Sequence, residues 1–463
     1  MLDDALKNYT RENVYPFHMP GHKRHMNFGV DPYQVDITEI EGFDNLHEPE
    51  GILLEMTKRI ERLYHSGESF LLVNGSTSGN LTAIFSATDW GDEIIIGRNC
   101  HKSVYYAAEL RRLKVWYTKP EVDEKGMVTG TPMEEYERAI RLHPKAKAVV
   151  ITSPTYEGMM EPVEAVAELA HKNGMLLIVD GAHGAHLGFH PYFPKSPLEL
   201  GADMVIMSLH KTLPSMTQTA VLHINKDAEV ESWKVKKYEA MFQSSSPSYV
   251  LMYSIARCIG FLEQGESEFD VYKNNLESFY EDCEKLKHIK VECKKGQDPG
   301  KLVLDTTKAN ISGYQLQQRL RESYGIELEM ASFYYALAMT SVMDTEGGFS
   351  RLKNALFEID ATCQKREGAL VALGDCYHIG EKREELFTAA EQPRVLCPVC
   401  EAVGKIAGGM ISIYPPAVPL LVPGEIIEKE MIQMILQARE AGLTINGLEL
   451  QKDGREAVSV IVN

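Results

Sequence analysis

The sequence predicts an α/β fold: a large unit built on a mainly parallel sheet, followed by a smaller C-terminal α+β unit. Three observations carry this. Five apolar, β-rich runs, EIIIG (93–97), KVWYT (114–118), AVVIT (148–152), MLLIVD (175–180) and MVIMS (204–208), show no clear polar alternation. Such runs fit strands buried on both faces, as in parallel sheets covered by helices. Segments with helical spacing separate them, and strand–helix alternation implies right-handed crossovers. Past about residue 300 the elements become shorter and less regular.

Residues 1–50 read as a loop-rich N-terminal segment. ILLEMTKRIERLYH (52–65) has helical spacing, SFLLVN (69–74) is a short apolar run ending in Asn-Gly, and NLTAIFSAT (80–88) is helical again. PMEEYERAIRL (132–142) and PVEAVAELAHKNG (162–174) supply later helices, the second stopped by Gly174. WKVKKYEAMFQ (233–243) and SYVLMYSIARCIGFLEQ (248–264) predict a helix pair. GQDPG (296–300) breaks the pattern and places a boundary near 300–312. KLVLDTT (301–307), a helix over 314–325, a strand over 326–332 and a helix over 349–364 then read as α+β. The Pro-punctuated GMISIYPPAVPLLVPGE (409–425) leads to a helix over 426–441 and a polar strand. The expected division is therefore 1–50, 51–310 and 311–463.

Composition narrows the class. The chain has 463 residues, 44% apolar and 25% charged, an ordinary globular balance that excludes disordered and fibrous classes. No run of about 18 apolar residues predicts a membrane-spanning helix. The polar, acidic start MLDDALKNYTRENVYPF is unlike a signal peptide. A net charge of −18 argues against a nucleic-acid surface. Eight scattered cysteines (Cys100, Cys258, Cys283, Cys293, Cys363, Cys376, Cys397 and Cys400) read as reduced cytosolic thiols. Cys397 and Cys400 have a zinc-like spacing, but no second pair matches it.

The strongest chemical signal is Ser208-Leu209-His210-Lys211-Thr212 at the end of MVIMS. Alone, its lysine is a surface residue. Asp180, however, ends the strand MLLIVD, and ligands bind beyond the carboxyl ends of strands in such sheets. Asp and Lys on neighbouring strand ends fit pyridoxal 5′-phosphate: Lys211 forms the Schiff base and Asp180 pairs with the pyridinium nitrogen. The turn Gly75-Ser76-Thr77-Ser78-Gly79-Asn80, where a helix begins, offers N–H groups and hydroxyls to a phosphate. By itself that turn is explained as well by an N-cap. It has neither the Walker lysine nor the dinucleotide fingerprint. His101 follows EIIIG, which puts it on the same edge, where it is placed to stack on the pyridine ring.

Together these residues resemble the bacterial Orn/Lys/Arg decarboxylases, fold type I enzymes that use pyridoxal phosphate. The resemblance spans FHMPGHK (17–23), DITEIEGFDNLHEPEG (36–51), LLVNGSTSGN (71–80), RNCHKS (98–103), VDGAHGAH (179–186), SLHKTLPSMTQTA (208–220), SSSPSY (244–249) and YPPAVPLLVPGE (414–425). It is nearest to the family's shorter, Gram-positive-type members. It implies decarboxylation of arginine, lysine or ornithine in the cytoplasm, with polyamine supply one possible role. Catalysis falls to Lys211, Asp180, His101 and His210, with Lys211 or His210 protonating Cα. The phosphate falls to Ser76, Thr77 and Ser78, with Ser208 and His210 closing that side. Ala182 and His183 pack near the ring, His183 beside its phenolic oxygen. Ser245 and Ser246 reach the site of a neighbouring subunit, so a homodimer is implied. The sequence departs from the family at Ala417-Val418 and at Gly408-Gly409, where relatives often carry a polar or acidic residue.

Other readings stay open. His18, His22 and His25 are spaced like metal ligands, but Pro20-Gly21 interrupts a helix there, and a loop packing over a neighbouring site is the simpler expectation. His183 and His186 are also three apart. No metal is expected. The methionines of 204–216 read as core, and Lys234, Lys236 and Lys237 as a solvated face. Aminotransfer, β-elimination and a degenerate regulatory homologue are the competing functions.

Overall fold

The protein was analysed as a computed structural model, which describes residues 1–368, 370, 377–414, 418–440, 444–452 and 454–462. Its centre is a seven-stranded sheet. In chain order the strands are β1 (Glu68–Leu72), β2 (Glu93–Gly97), β3 (Lys114–Thr118), β4 (Ala146–Thr152), β5 (Leu176–Asp180), β6 (Met204–Met207) and β7 (Ala220–Ile224). Their spatial order is β1-β7-β6-β5-β4-β2-β3. All neighbours from β6 to β3 pair in parallel, while β7 is antiparallel to both β6 and β1. Two reversals restore the direction, so β1 ends on the same edge as β2, β4, β5 and β6.

Burial explains why these strands lack alternation. On β5 and β6, Leu177, Val179, Val205 and Met207 enter one core cluster, whereas Ile178, Met204 and Ile206 enter the other. Each face therefore demands apolar residues. The helices α1 (Gly75–Ala87) and α2 (Lys102–Leu110) cover one face, and α3 (Met133–Leu142) and α4 (Val163–Lys172) the other. Helix α1 lies so close to the sheet that a Cβ on Gly79 would stand 2.7 Å from Ile206 Cγ2. A glycine is what that approach permits.

A second, four-stranded antiparallel sheet holds β8 (Lys290–Val291), β9 (Lys301–Asp305), β10 (Met330–Ala331) and β11 (Tyr335–Met339), in the order β8-β9-β11-β10. A division at residue 310 would cut this sheet between its paired strands β9 and β11. We propose to place it before Lys290. The N-terminal segment contains an element that its polar sequence concealed, an exposed helix Leu2–Arg11. It also contributes Tyr15–Phe17 as a parallel partner to Ile326–Leu328. The expected strand over 326–332 is two short strands, Ile326–Leu328 and Met330–Ala331. The helix Glu266–Cys283 was not anticipated either. Among the described residues no helix is long and apolar enough to cross a membrane.

The last part of the chain is pinned to the carboxyl edge of the large sheet by one buried ion pair. Arg98, just after β2, is fully buried. Its Nη2 donates to Glu425 Oε2 at 2.8 Å and to Leu420 O at 3.3 Å. Nη1 stands 2.8 Å from Glu425 Oε1, an ion contact without hydrogen-bond alignment. The Tyr117 ring stacks 4.9 Å from the guanidinium. A dry pair like this tolerates loss of neither partner.

Candidate active site

At the shared carboxyl edge the chain leaves the sheet four times within reach of one cleft. Strand β1 gives way to α1, β2 to the turn at His101, β5 to Asp180–His183, and β6 to the single-turn helix α5 (Leu209–Thr212). The cleft has a volume of about 390 Å³. Ser76, Thr77, His101, Asp180, Ala182, His183, Ser208, His210 and Lys211 all line it. Ser78 does not, since its hydroxyl donates to Gly75 O at 2.9 Å instead. Ser245 and Ser246 are exposed and do not line the cleft of their own chain.

Asp180 sits on the cleft floor, 4% exposed. Asn80 Nδ2 donates to its Oδ2 at 2.8 Å, and the Ala182 N–H to its Oδ1 at 3.2 Å. Asn80 Nδ2 also donates to Ser103 Oγ at 2.9 Å. Ser103 in turn fixes His101, its Oγ lying 2.8 Å from Nδ1 and its N–H donating to Nδ1 at 3.2 Å. Nδ1 is thus an acceptor, and in the neutral ring Nε2 carries the proton. Burial pushes His101 down to about 4, although Asp180 opposes the shift. At neutral pH the imidazole is uncharged and suited to lie against an aromatic ring.

The opposite side carries the amine. Lys211 Nζ is 3.1 Å from His183 Nε2. Burial pushes its pKa down, and Asp180 and Glu329 oppose this. His183 is itself held well below the usual histidine range, first by burial and then by Lys211 and Lys301. His210 Nδ1 meets Thr219 O at 2.9 Å, which leaves Nε2 without the proton in the neutral ring. Burial lowers His210 to about 4. At the α1 end Ser76 Oγ and Ser208 Oγ share a hydrogen bond of 2.7 Å.

The donor set fits a pyridoxal-phosphate site. A helix N-terminus with the Ser76, Thr77 and Ser208 hydroxyls suits a phosphate dianion. Asp180 is a buried carboxylate facing the cleft, as a ring nitrogen requires, and Lys211 offers an amine to an aldehyde carbon. Asn80, Ser103 and Lys301 belong to this arrangement but were not singled out from the sequence. Asn80 and Ser103 had signals, being polar residues within the quoted turns at 71–80 and 98–103. Lys301 had none.

The remaining sequence features fall as follows. The N-terminal loop packs on its own chain's site: Met19 lines the cleft, and the Gly21 N–H donates to His210 O at 2.6 Å. His18 and His25 turn to separate carbonyls, Met19 O and Met343 O. His186 Nε2 meets Asp298 Oδ1 at 3.2 Å rather than following His183. Cys397 and Cys400 are free thiols, and Cys376 lies outside the described residues. Gly408 and Gly409 pack against Val460 and Ser459 and do not line the cleft. Of the Ala417-Val418 departure, Val418 lines the cleft, while Pro415, Pro416 and Ala417 lie outside the described residues.

Comparison with known proteins gives the family. Residues 2–294 match the family model described as Orn/Lys/Arg decarboxylase, major domain, and 385–460 match the family's C-terminal domain. An arginine decarboxylase of Bacillus subtilis is 30% identical, with 97% of this chain and 95% of that protein covered. A second B. subtilis protein, the uncharacterized YaaO, is 32% identical over 94% of this chain and 93% of its own. Among solved structures, the lysine decarboxylase LdcF of Francisella novicida superposes with a TM-score of 0.82 at 18% identity, covering 93% of this chain and 75% of that one. The architecture is that of the fold type I pyridoxal-phosphate enzymes. The chain belongs to the Orn/Lys/Arg decarboxylases, a family of amino-acid decarboxylases.

Proposed function

We propose that this chain releases CO2 from a basic L-amino acid (arginine, lysine or ornithine) to give the corresponding amine, with pyridoxal 5′-phosphate as cofactor. The observation that carries the reading is the convergence of Lys211, Asp180 and the N-terminus of α1 on one cleft. When bound, the cofactor supplies an aromatic ring that accepts the electrons of the Cα–carboxylate bond. Ser76, Thr77 and Ser208 would hold its phosphate, and Lys211 its aldehyde carbon. Asp180 keeps a proton on the ring nitrogen. His101, uncharged, covers the ring without competing for that proton. Of Lys211 and His210, Lys211 is the group that would return a proton to Cα, because the one proton of the neutral His210 ring is committed to Thr219 O. A homodimer in which Ser245 and Ser246 reach the partner's cleft belongs to the same proposal, and their exposure is compatible with it.

Substrate charge points to one further group. Among the described lining residues the only carboxylates are Asp180 and Glu157. Glu157 is 5% exposed and accepts from the Tyr335 hydroxyl at 2.8 Å. Burial raises its pKa, against the lowering effects of the Tyr335 and Thr155 hydroxyls and of Lys301 nearby. Glu157 is our candidate for the substrate's distal cation. Glu157→Gln removes the charge and keeps the shape. KM for the preferred basic substrate should rise about 10–100-fold, the worth of one charge-assisted hydrogen bond, with kcat changed less. An unchanged KM would move the distal cation elsewhere.

The direct test is amine and CO2 production by cofactor-loaded protein offered arginine, lysine and ornithine separately. One preferred substrate supports the proposal and names it. Dependence on a keto acid would indicate aminotransfer, and a loaded protein that forms no product from any of the three would indicate a different or lost activity.

A further inference from the structure

We infer that Lys301, acting through His183, fixes which nitrogen of that imidazole carries the proton and so keeps Lys211 a neutral amine. This rests on the reading of Lys211 as the cofactor-holding lysine.

Lys301 opens β9, in the second sheet, far from Lys211 in sequence. Its side chain enters the cleft wall past Gly158, where a Cβ would stand 2.6 Å from Lys301 Cγ. Nζ ends 2.8 Å from His183 Nδ1, with the residue 1% exposed. His183 Nε2 is 3.1 Å from Lys211 Nζ. One imidazole therefore bridges two lysines, one at each nitrogen.

Proton counting limits this chain. A neutral imidazole has one N–H and one lone pair. An ammonium is a donor only, so two ammonium groups cannot both be satisfied by it. One lysine donates to the lone pair, and the other, as a free amine, accepts from the N–H. A doubly protonated ring has no lone pair and would need both lysines as free amines, yet His183 is held well below the usual histidine range while Lys301 stays at about 8.

The surroundings decide which lysine keeps the charge. Lys301 faces Asp298 and Glu329, with Glu157 also nearby, and burial brings it to about 8, so it remains largely an ammonium at pH 7. Lys23 is a further cation near it. Lys211 faces Asp180 and Glu329, yet burial lowers it too. Asp180 is already engaged by Asn80 and the Ala182 N–H. His101 and His210, the other imidazoles near His183, are uncharged at neutral pH, and the Tyr156 ring meets His183 edge-on at 4.9 Å. The consistent arrangement is Lys301 ammonium donating to Nδ1, and Nε2–H donating to the Lys211 amine. Lys301 is thus a positioning residue: it touches no reacting atom but leaves Lys211 with a free lone pair. With Lys211 holding the cofactor, that N–H would be free to donate elsewhere.

A bland role exists, namely that His183 merely satisfies a buried lysine. Three proteins separate the two: wild type, Lys301→Met, which has no donor, and Lys301→Gln, which has an uncharged donor. Competitive acetylation of the full-length chain freed of cofactor, read by peptide mass spectrometry across pH, reports the neutral fraction of Lys211. In Lys301→Met the half-reactivity pH of Lys211 should rise by about one unit, a roughly tenfold loss of neutral amine below it. Lys301→Gln should stay near wild type. In loaded protein the pH midpoint of the cofactor's visible absorbance should rise in Lys301→Met as well. Nitrogen-15 NMR of labelled histidines should find His183 protonated at Nε2 in wild type and Lys301→Gln. Unchanged Lys211 reactivity in a folded Lys301→Met protein overturns the inference, as does Lys301→Gln behaving like methionine. A wild-type His183 protonated at Nδ1 overturns it even if neither variant folds. The acetylation and NMR measurements use no cofactor, so they stand apart from any failure of the proposed activity.

Discussion

Lys211→Ala should abolish product formation, by roughly 10⁴-fold or more, while the protein stays folded. The size follows from the role: an amine that bonds covalently to the cofactor has no substitute in the cleft, and losing such a group removes most of the rate. Lys301, the other amine nearby, lies on the far side of the His183 ring from Lys211. Stability should move the other way or not at all. Lys211 is desolvated enough to lose basicity, so the wild type bears an energetic cost that alanine removes. Its apolar neighbours Leu209 and Leu213 hold α5 in the core without it. The measurements are amine release, thermal melting, and borohydride reduction of loaded protein followed by peptide mass spectrometry. The wild type should carry the cofactor's mass on the peptide containing Lys211, and the variant should not. Turnover above about one percent in Lys211→Ala would be incompatible with the assignment.

The parts of this site that were legible in the sequence share one physical cause. Strands buried on both faces write themselves as unbroken apolar runs, so their ends are visible, and Asp180 and Lys211 stand at or just past such ends. The strand β7 was less visible, because His223 interrupts its apolar run. That histidine is fully buried, its Nδ1 meeting Ser69 Oγ at 2.8 Å, and burial brings it to about 3. The helix Leu2–Arg11 was missed for another reason: Leu2, Ala5, Leu6 and Tyr9 do recur at helical spacing, but the stripe is short, lies among charged residues and buries nothing in the core. Lys301 shows the limit most clearly. It opens an ordinary apolar strand, and its chemistry comes only from the second sheet packing against the end of β5. Register and packing between distant segments carry that information, and no local pattern encodes it. The boundary expected near 310 falls between paired strands for a similar reason: Gly and Pro mark a turn at 296–300 but not which sheet the following strand will join.

Asp180 offers a test in which chemistry and folding can be separated. Asp180→Asn keeps an acceptor oxygen for Asn80 Nδ2, which otherwise retains only Ser103 Oγ. The amide keeps that bond but turns its NH2 toward the Ala182 N–H, which loses its acceptor, so the melting temperature should fall, though less than in the alanine variant. Asp180→Ala strands that donor in a dry site, a loss worth about 1–3 kcal/mol of stability. Both substitutions remove the negative charge that holds a proton on the cofactor's ring nitrogen, so both should lower kcat by roughly 10²–10³-fold, in the range measured when a preorganised electrostatic partner is lost. KM should move less, because Glu157 and the α1 end of the cleft are untouched. Cofactor binding should persist through Lys211 and the phosphate hydroxyls, which a visible absorbance band with a changed maximum would report. Equal rate losses with unequal melting temperatures are the expected signature. If Asp180→Asn instead kept near wild-type kcat, the carboxylate would be serving the Asn80–Ser103–His101 network alone, and another group would have to hold the ring proton.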